Sequence, residues 1–288
     1  MGKRKGEANV EVKSILNKHG FRFNKQFGQN FLTDDDILQG IVQSAGICAN
    51  DCVLEIGAGA GTLTRALCKA AKKVVACEID VNLKPVLAET LADQSNVEVK
   101  FVDVMKLSMQ QIDGFFGGER YKVVANIPYY LTSPLLMNFV ENSALVSSMT
   151  LTIQKEVADR LASAPNTKDY GAITVAVQAV SDVSVLQVLS RELFFPVPNV
   201  DSAVVRLDIR RDKFDVGDAA LFRKTVKSAF AMRRKTLVNN LVSGFGFSRT
   251  QTEEILKSCL LPQDVRGEAL SVEQFVALSK KIGEQISQ

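Results

Sequence analysis

The 288-residue chain has no tryptophan and one histidine, His19. A zinc centre built on two or three histidines is therefore excluded. A histidine general base could come only from the N-terminal segment. The five cysteines, Cys48, Cys52, Cys68, Cys77 and Cys259, form no Cys-x-x-Cys pair. Being odd in number, they suit the reduced thiols of a cytoplasmic protein better than a disulfide framework. No apolar run reaches the roughly 18 residues that would suggest a membrane span. The basic start Met1-Gly2-Lys3-Arg4-Lys5 is not followed by an apolar stretch, so no secretory signal is expected. One-sided charge is also lacking, since the net value is only +3. Its distribution says more. Arg210 to Lys235 holds nine Lys/Arg against three Asp/Glu, a candidate phosphate-binding face, although a solvated helix surface would have the same composition.

The body of the chain alternates between strand and helix patterns. Asp34-Asp35-Asp36 precedes apolar residues at helical spacing, and acidic residues suit a helix N-terminus. Strands are expected at 52–56, 73–77, 97–102, 121–125 and 149–153, with helices at 62–71, 82–92 and 134–141. The run Ser163–Gly171 breaks this alternation, and two further strands follow near 183–189 and 203–209. Such an order predicts an α/β domain, a parallel sheet with helices on both faces. Residues 218–288 show helical periodicity with few strand signals, which places a boundary near 210–217. Residues 1–20 are polar and basic and are expected to be loosely ordered.

Glu55-Ile56-Gly57-Ala58-Gly59-Ala60-Gly61 joins the first expected strand of the sheet to a helix. Its glycines permit a tight turn and close approach to a ligand. A dinucleotide fingerprint needs a glycine where Thr62 stands. Glu55 would repel a pyrophosphate and suits a ligand with an ammonium or sulfonium group. Glu78, about 20 residues on at a strand end, is placed to accept from ribose hydroxyls, and Asp103 from an adenine amine. A helix cap or solvated loop is the commoner role of each carboxylate alone. As a set at successive strand ends they point to a phosphate-free adenosine cofactor, favouring S-adenosylmethionine over a nicotinamide cofactor.

The fourth strand runs into Asn126-Ile127-Pro128-Tyr129-Tyr130. An adenine exocyclic amine is a poor nucleophile because its lone pair is delocalised into the ring. Two acceptors on its hydrogens favour a pyramidal nitrogen and free that pair. The Asn126 side-chain carbonyl and a nearby main-chain carbonyl, that of Ile127, can supply both without charge. Pro128 restricts the backbone around them, and Tyr129 offers a face for stacking on an extruded base. Phe194, at the head of Phe194-Phe195-Pro196-Val197-Pro198-Asn199-Val200-Asp201-Ser202, is a candidate for the opposite face. A phenylalanine buried under a proline-rich connection would read the same way.

Together these residues resemble the ribosomal RNA adenine N6,N6-dimethyltransferase family, in its bacterial small-subunit type, from about Lys25 to Phe275. Gln26–Leu32, Leu54–Gly61, Asn126–Tyr130, Gln154–Arg160, Phe194–Ser202, Ala229–Leu237 and Arg266–Ser271 carry the likeness. The resemblance implies a Rossmann-like class I S-adenosylmethionine-dependent methyltransferase sheet with a smaller C-terminal all-helical domain. It divides the chain into a basic extension (1–24), a catalytic domain (25–212) and a helical RNA-binding domain (213–288). It also implies that Asn30, Leu32, Gly57, Glu78, Asp103 and Asn126 contact S-adenosylmethionine. Asn126, Pro128, Tyr129 and Phe194 would form the catalytic group, with no metal, and Arg233, Arg234 and Lys235 would meet RNA phosphates. The implied substrate is 16S ribosomal RNA in the immature 30S subunit, methylated at two adjacent adenosines by a protein that is monomeric when free. The extension through about Phe23 exceeds the family's minimum. Methylation of 23S RNA, a nicotinamide-dependent oxidoreductase and a non-catalytic assembly factor are the alternatives. The segments 229–237 and 266–271 favour the small-subunit reading.

Overall fold

The structure, a computed structural model, describes residues 7–24 and 28–287; Lys25, near which the resemblance begins, and Gln26-Phe27, which open the Gln26–Leu32 segment, lie outside the described residues. The described elements divide into two compact units, Met1–Ala158 with Ser184–Ile209, and Asp159–Val183 with Arg210–Gln288.

The first described element is helix α1 (Glu7–Lys18), which corrects the expectation of loose order for that stretch; the expectation for residues 1–6 lies outside the described residues. Val12 and Leu16 stand one helical turn apart among charged neighbours. They bury against Leu83, Val86 and Leu87, and Phe21 and Phe23 pack on the same cluster. His19 is not a tail residue either. Its Nε2 lies 2.8 Å from the Glu89 carboxylate, which also takes the Lys18 ammonium at 2.8 Å.

Strand β1 (Phe31–Leu32) is followed by α2 (Asp35–Ser44), whose first N–H groups are capped by the Asp34 carboxylate. Then come β2 (Cys52–Ile56), α3 (Thr62–Cys68), β3 (Lys73–Glu78), α4 (Lys84–Thr90), β4 (Val97–Phe101), α5 (Met109–Gly114), β5 (Tyr121–Asn126), α6 (Thr132–Asn142) and β6 (Val146–Gln154). After α7 (Lys155–Leu161) and α8 (Ala172–Gln178) the chain returns through β7 (Ser181–Leu189), β8 (Phe194–Phe195) and β9 (Ser202–Ile209). The large sheet has the order β4-β3-β2-β5-β6-β9-β7. Strands β2 to β6 are parallel to their partners, and β9 runs antiparallel to β6. The central strands are buried on both faces and read as unbroken apolar runs, as helix-covered parallel sheets do.

The order reverses between β2 and β5. From β2 the chain builds outward through β3 to β4, and from β5 outward through β6. A crevice opens at such a switch point, at the carboxyl ends of the strands. A small antiparallel pair adds to it: β1 joins β8, with Phe31 opposite Phe195 and Leu32 opposite Phe194.

The second unit is helical: α8 with α9 (Ala219–Ala229), α10 (Leu237–Phe245), α11 (Arg249–Ser258) and α12 (Val272–Ile286). It is discontinuous in sequence, where a single cut near 210–217 is expected. Tyr170, Val175 and Ala179 bury with Phe222, Val226, Leu237 and Phe275, and the Tyr170 hydroxyl donates to the Leu270 carbonyl at 2.9 Å. A contact between positions so far apart leaves no local trace in the sequence.

Leu260 closes α11 in the left-handed region (φ 56°) while 92% exposed. That backbone costs a branched residue about 1–2 kcal/mol, and so little of Leu260 is buried that its side chain returns almost nothing. Leu260→Gly is expected to raise the unfolding midpoint by about 1–3 °C in a thermal melt, after the extra entropy of the unfolded glycine. A lowered midpoint would assign Leu260 a packing role.

Candidate active site

The crevice holds a cleft of about 860 Å³, measured to its open mouth. Its lining comes from every connection at the switch point: Asn30 and Phe31 before and in β1, Gly57 and Gly59 after β2, Glu78 ending β3, Asp103 to Met105 after β4, Asn126 to Leu131 after β5, and Phe194 of β8. Among the described residues the lining includes two carboxylates and neither lysine, arginine nor histidine.

Glu78 forms the floor. Its Oε2 accepts from Gly59 N–H at 2.8 Å, and its Oε1 from Ile79 and Asp80 N–H, each at 2.8 Å. Burial pushes its carboxyl above the usual range, and these three donors pull back toward the charged form. Gly59 sits at φ 57°, and a Cβ there would lie 2.9 Å from the Phe31 ring. Only glycine lets the turn pass beneath Phe31 and still present its N–H to Glu78. The Asp103 carboxylate accepts from Met105 N–H at 3.0 Å, and Val104, Met105, Ile79 and Leu135 supply apolar wall nearby.

Asn126 ends β5. Its Nδ2 donates to the Asn30 carbonyl at 2.8 Å, which turns the side-chain oxygen away from that carbonyl and leaves it as an acceptor. Asn30 is itself held by a 3.3 Å bond from its amide to the Gly28 carbonyl. Pro128 hands its carbonyl to Leu131 N–H at 2.9 Å, so the Asn126–Tyr129 segment ends in a closed turn. Tyr129 lines the cleft with its hydroxyl 2.9 Å from the Ser202 hydroxyl, and burial raises its phenol pKa.

Of the expected site residues, Asn30, Gly57, Glu78, Asp103, Asn126, Pro128 and Tyr129 converge on this cleft, and Phe194 borders it while only 2% exposed, packed in the core with Leu32 and Leu38. Leu32 does not line it. Its side chain packs in the core with Leu38, Ile41 and Leu63, and its carbonyl accepts the Thr62 hydroxyl at 2.9 Å. Glu55 does not face the cleft either. Odd positions of β2 point under α3, so its carboxyl is fully buried beside Leu38, Ile41 and Leu63, and neither oxygen has a hydrogen-bond partner among the described residues. Burial pushes its pKa up to about 8, and the Thr64 hydroxyl beside it offsets only part of that. Burial thus favours its neutral form, and, turned away from the cleft, it is not placed to serve as the counter-charge expected of it.

Two further residues shape the site, although the sequence shows them only inside longer motifs. Gln29 donates from its amide to the Asp80 carboxylate at 2.9 Å and accepts from Asn24 N–H at 3.1 Å, tying the N-terminal segment to the end of β3. Ser202 was visible only as the end of a proline-rich motif. In the helical unit, Arg233 is engaged by the Glu268 carboxylate at 2.7 Å and the Thr167 carbonyl at 3.3 Å. Arg234 and Lys235 are exposed in the same loop. That loop is anchored from below by the Asn240 amide, which donates to the Ala229 and Met232 carbonyls at 2.8 and 3.2 Å.

Comparison with known proteins agrees with this geometry. The model of the family described as "Ribosomal RNA adenine dimethylase" matches residues 20–283. The chain is 45% identical over 280 residues to the "Ribosomal RNA small subunit methyltransferase A" of Clostridioides difficile, covering 96% of each chain. It is 42% identical over 281 residues to the protein of that name from Bacillus licheniformis, again covering 96% of each. Among solved structures it resembles a dimethyladenosine transferase from Plasmodium falciparum, with TM-score 0.76 and 25% identity over 88% of this chain and 98% of that one. It also resembles the 23S rRNA methyltransferase ErmE, with TM-score 0.67 and 27% identity over 88% of this chain and all of that one. The sheet with its helical companion is thus the fold of these methyltransferases.

Proposed function

This chain belongs to the ribosomal RNA adenine dimethylase family, and on that premise we propose that it dimethylates N6 of two adjacent adenosines near the 3′ end of 16S ribosomal RNA. The substrate is the immature 30S subunit, the methyl donor S-adenosylmethionine, and the free protein is a cytoplasmic monomer. The observation that carries the cofactor assignment is the charge of the cleft. Among the described residues, two carboxylates and no cation line it, which disfavours a phosphate-bearing nucleotide and suits a sulfonium-bearing nucleoside.

The residues present fit S-adenosylmethionine. Gly57 and Gly59 allow backbone approach, Glu78 offers oxygen lone pairs to a ribose, Asp103 to an adenine amine, and Asn30 and Asn126 border the space between cofactor and target. When bound, the cofactor supplies a sulfonium-activated methyl group. The chain's own residues prepare the acceptor. The Asn126 side-chain oxygen and the Ile127 carbonyl take the two amine hydrogens of the extruded adenine, localising its lone pair. Tyr129 and Phe194 hold the base by stacking. The alkylated amine is acidic and loses its proton without a dedicated base, consistent with a cleft lined by no histidine. Preorganised acceptors aimed at developing positive charge are the mirror image of an oxyanion hole.

Arg234 and Lys235 are proposed to meet RNA phosphates, with Arg233 bracing their loop through Glu268. The double variant Arg234→Ala/Lys235→Ala is expected to weaken 30S binding and lower the slope of log affinity against log salt by about 2. An unchanged slope in filter-binding titrations would remove these residues from the interface. Methylation is tested by primer extension on purified small and large subunits incubated with the protein and S-adenosylmethionine. Stops confined to 16S RNA are expected; stops confined to 23S RNA would overturn the substrate assignment.

A further inference from the structure

Tyr129 is gripped at both ends. Its backbone starts the tight turn closed by Pro128 and Leu131, and its hydroxyl lies 2.9 Å from that of Ser202. Ser202 is fully buried at the start of β9, in register with Gln154 of β6. The residue before it is fastened on two sides. The Asp201 carbonyl accepts from Lys155 N–H at 3.0 Å and its carboxylate from Arg191 N–H at 3.0 Å. The anchor is therefore part of the paired sheet, at the start of an interior strand, and not a loop tip. Phe194 lies at the other end of the same short segment, fixed by its pairing with Leu32. One stretch of chain thus carries one aromatic ring of the cleft and the fastening of the other.

We propose that Ser202 is a positioning residue for adenine methylation: its hydroxyl fixes the Tyr129 ring plane, so that the Phe194–Ser202 segment sets the geometry of the slot for the extruded base. A tyrosine ring has two side-chain torsions. A hydrogen bond at its far end removes the swing that backbone restriction alone leaves open. Misplacing a stacking wall lowers the fraction of bound bases in attacking geometry, so the loss falls on turnover and not on cofactor binding. This inference rests on the proposed role of Tyr129 in holding the base.

The test uses the full-length protein with 30S subunits carrying 2-aminopurine at one target adenosine, whose fluorescence reports stacking. Because the chain has no tryptophan, adding it contributes little fluorescence of its own. Ser202→Ala and Tyr129→Phe remove the same bond from opposite sides, and Tyr129→Phe leaves the buried Ser202 site intact. Each is expected to lower kcat on natural subunits by about 5- to 20-fold, the worth of one well-placed hydrogen bond. KM for S-adenosylmethionine should stay unchanged, and the 2-aminopurine quench should shrink. The double variant should fall no further than either single one. Unchanged kcat and quench in both single variants, or additive losses in the double, would overturn the positioning role. Tyr129→Ala separates the two levels: turnover retained there would overturn the role of Tyr129 itself. Turnover lost there but retained in Ser202→Ala and Tyr129→Phe would overturn only this inference.

Discussion

Asn126→Ala is expected to cut methyl transfer by at least about 100-fold, while S-adenosylmethionine binds no more than about tenfold more weakly. The first figure follows from removing one preorganised group aimed at charge that develops in the transition state, which costs enzymes about 10²–10³ in turnover. The second follows from the 2.8 Å bond to the Asn30 carbonyl. Losing one neutral hydrogen bond loosens the segment bordering the cofactor by about 1 kcal/mol. The split between turnover and affinity separates an acceptor used in the reaction from a residue that only shapes the cofactor pocket. Asn126→Asp should fail as well. A carboxylate keeps the acceptor but cannot donate to Asn30, and two oxygens would then face each other. Single-turnover rates beside calorimetric cofactor binding measure both quantities. Equal losses in the two would reassign Asn126 to cofactor binding.

Glu55→Gln is expected to change how stability depends on pH. The folded pKa of Glu55 is raised to about 8 from an ordinary value of 4.5. Its contribution is therefore complete below about pH 4.5 and is lost as pH rises through about 8. Within that window each pH unit costs up to about 1.4 kcal/mol. The neutral glutamine carries no such dependence. The wild type and the variant should melt at similar temperatures near pH 5. At pH 8.5 the variant should be the more stable by a few kcal/mol, apart from the cost of its own unpaired amide. Thermal melts from pH 5 to 9 measure this. Parallel curves would mean that Glu55 is ionised and solvated in the folded protein.

These two residues also mark how far the sequence could be read. Asn126 was identifiable because its chemistry is local: a neutral acceptor, a stiffening proline and an aromatic ring stand in consecutive positions at a strand end. Glu78 and Asp103 were readable for the same reason, since strand ends in an open parallel sheet converge on the switch point. Glu55 was misplaced because spacing along the chain does not say which face of a fully buried strand a residue takes. Alternation fixes the face of a half-exposed strand, but β2 is buried throughout. Leu32 packs in the core beside its strand partner Phe194, 162 positions along, a pairing that leaves no local trace in the sequence. Long-range contacts of this kind also hid the place of 159–183 in the helical unit and the helix in the N-terminal extension. The bond between Tyr129 and Ser202 joins two motifs that were each visible, but nothing in either names the other.

The most direct measurement is mass spectrometry of oligonucleotide fragments of 16S RNA after immature 30S subunits lacking the modification are incubated with the protein and S-adenosylmethionine. N6,N6-dimethyladenosine is expected at two adjacent positions near the 3′ end, with at least about 100-fold slower formation by Asn126→Ala. Unmodified 16S RNA in the presence of active cofactor, or dimethyladenosine appearing only in 23S RNA, would contradict the proposed function.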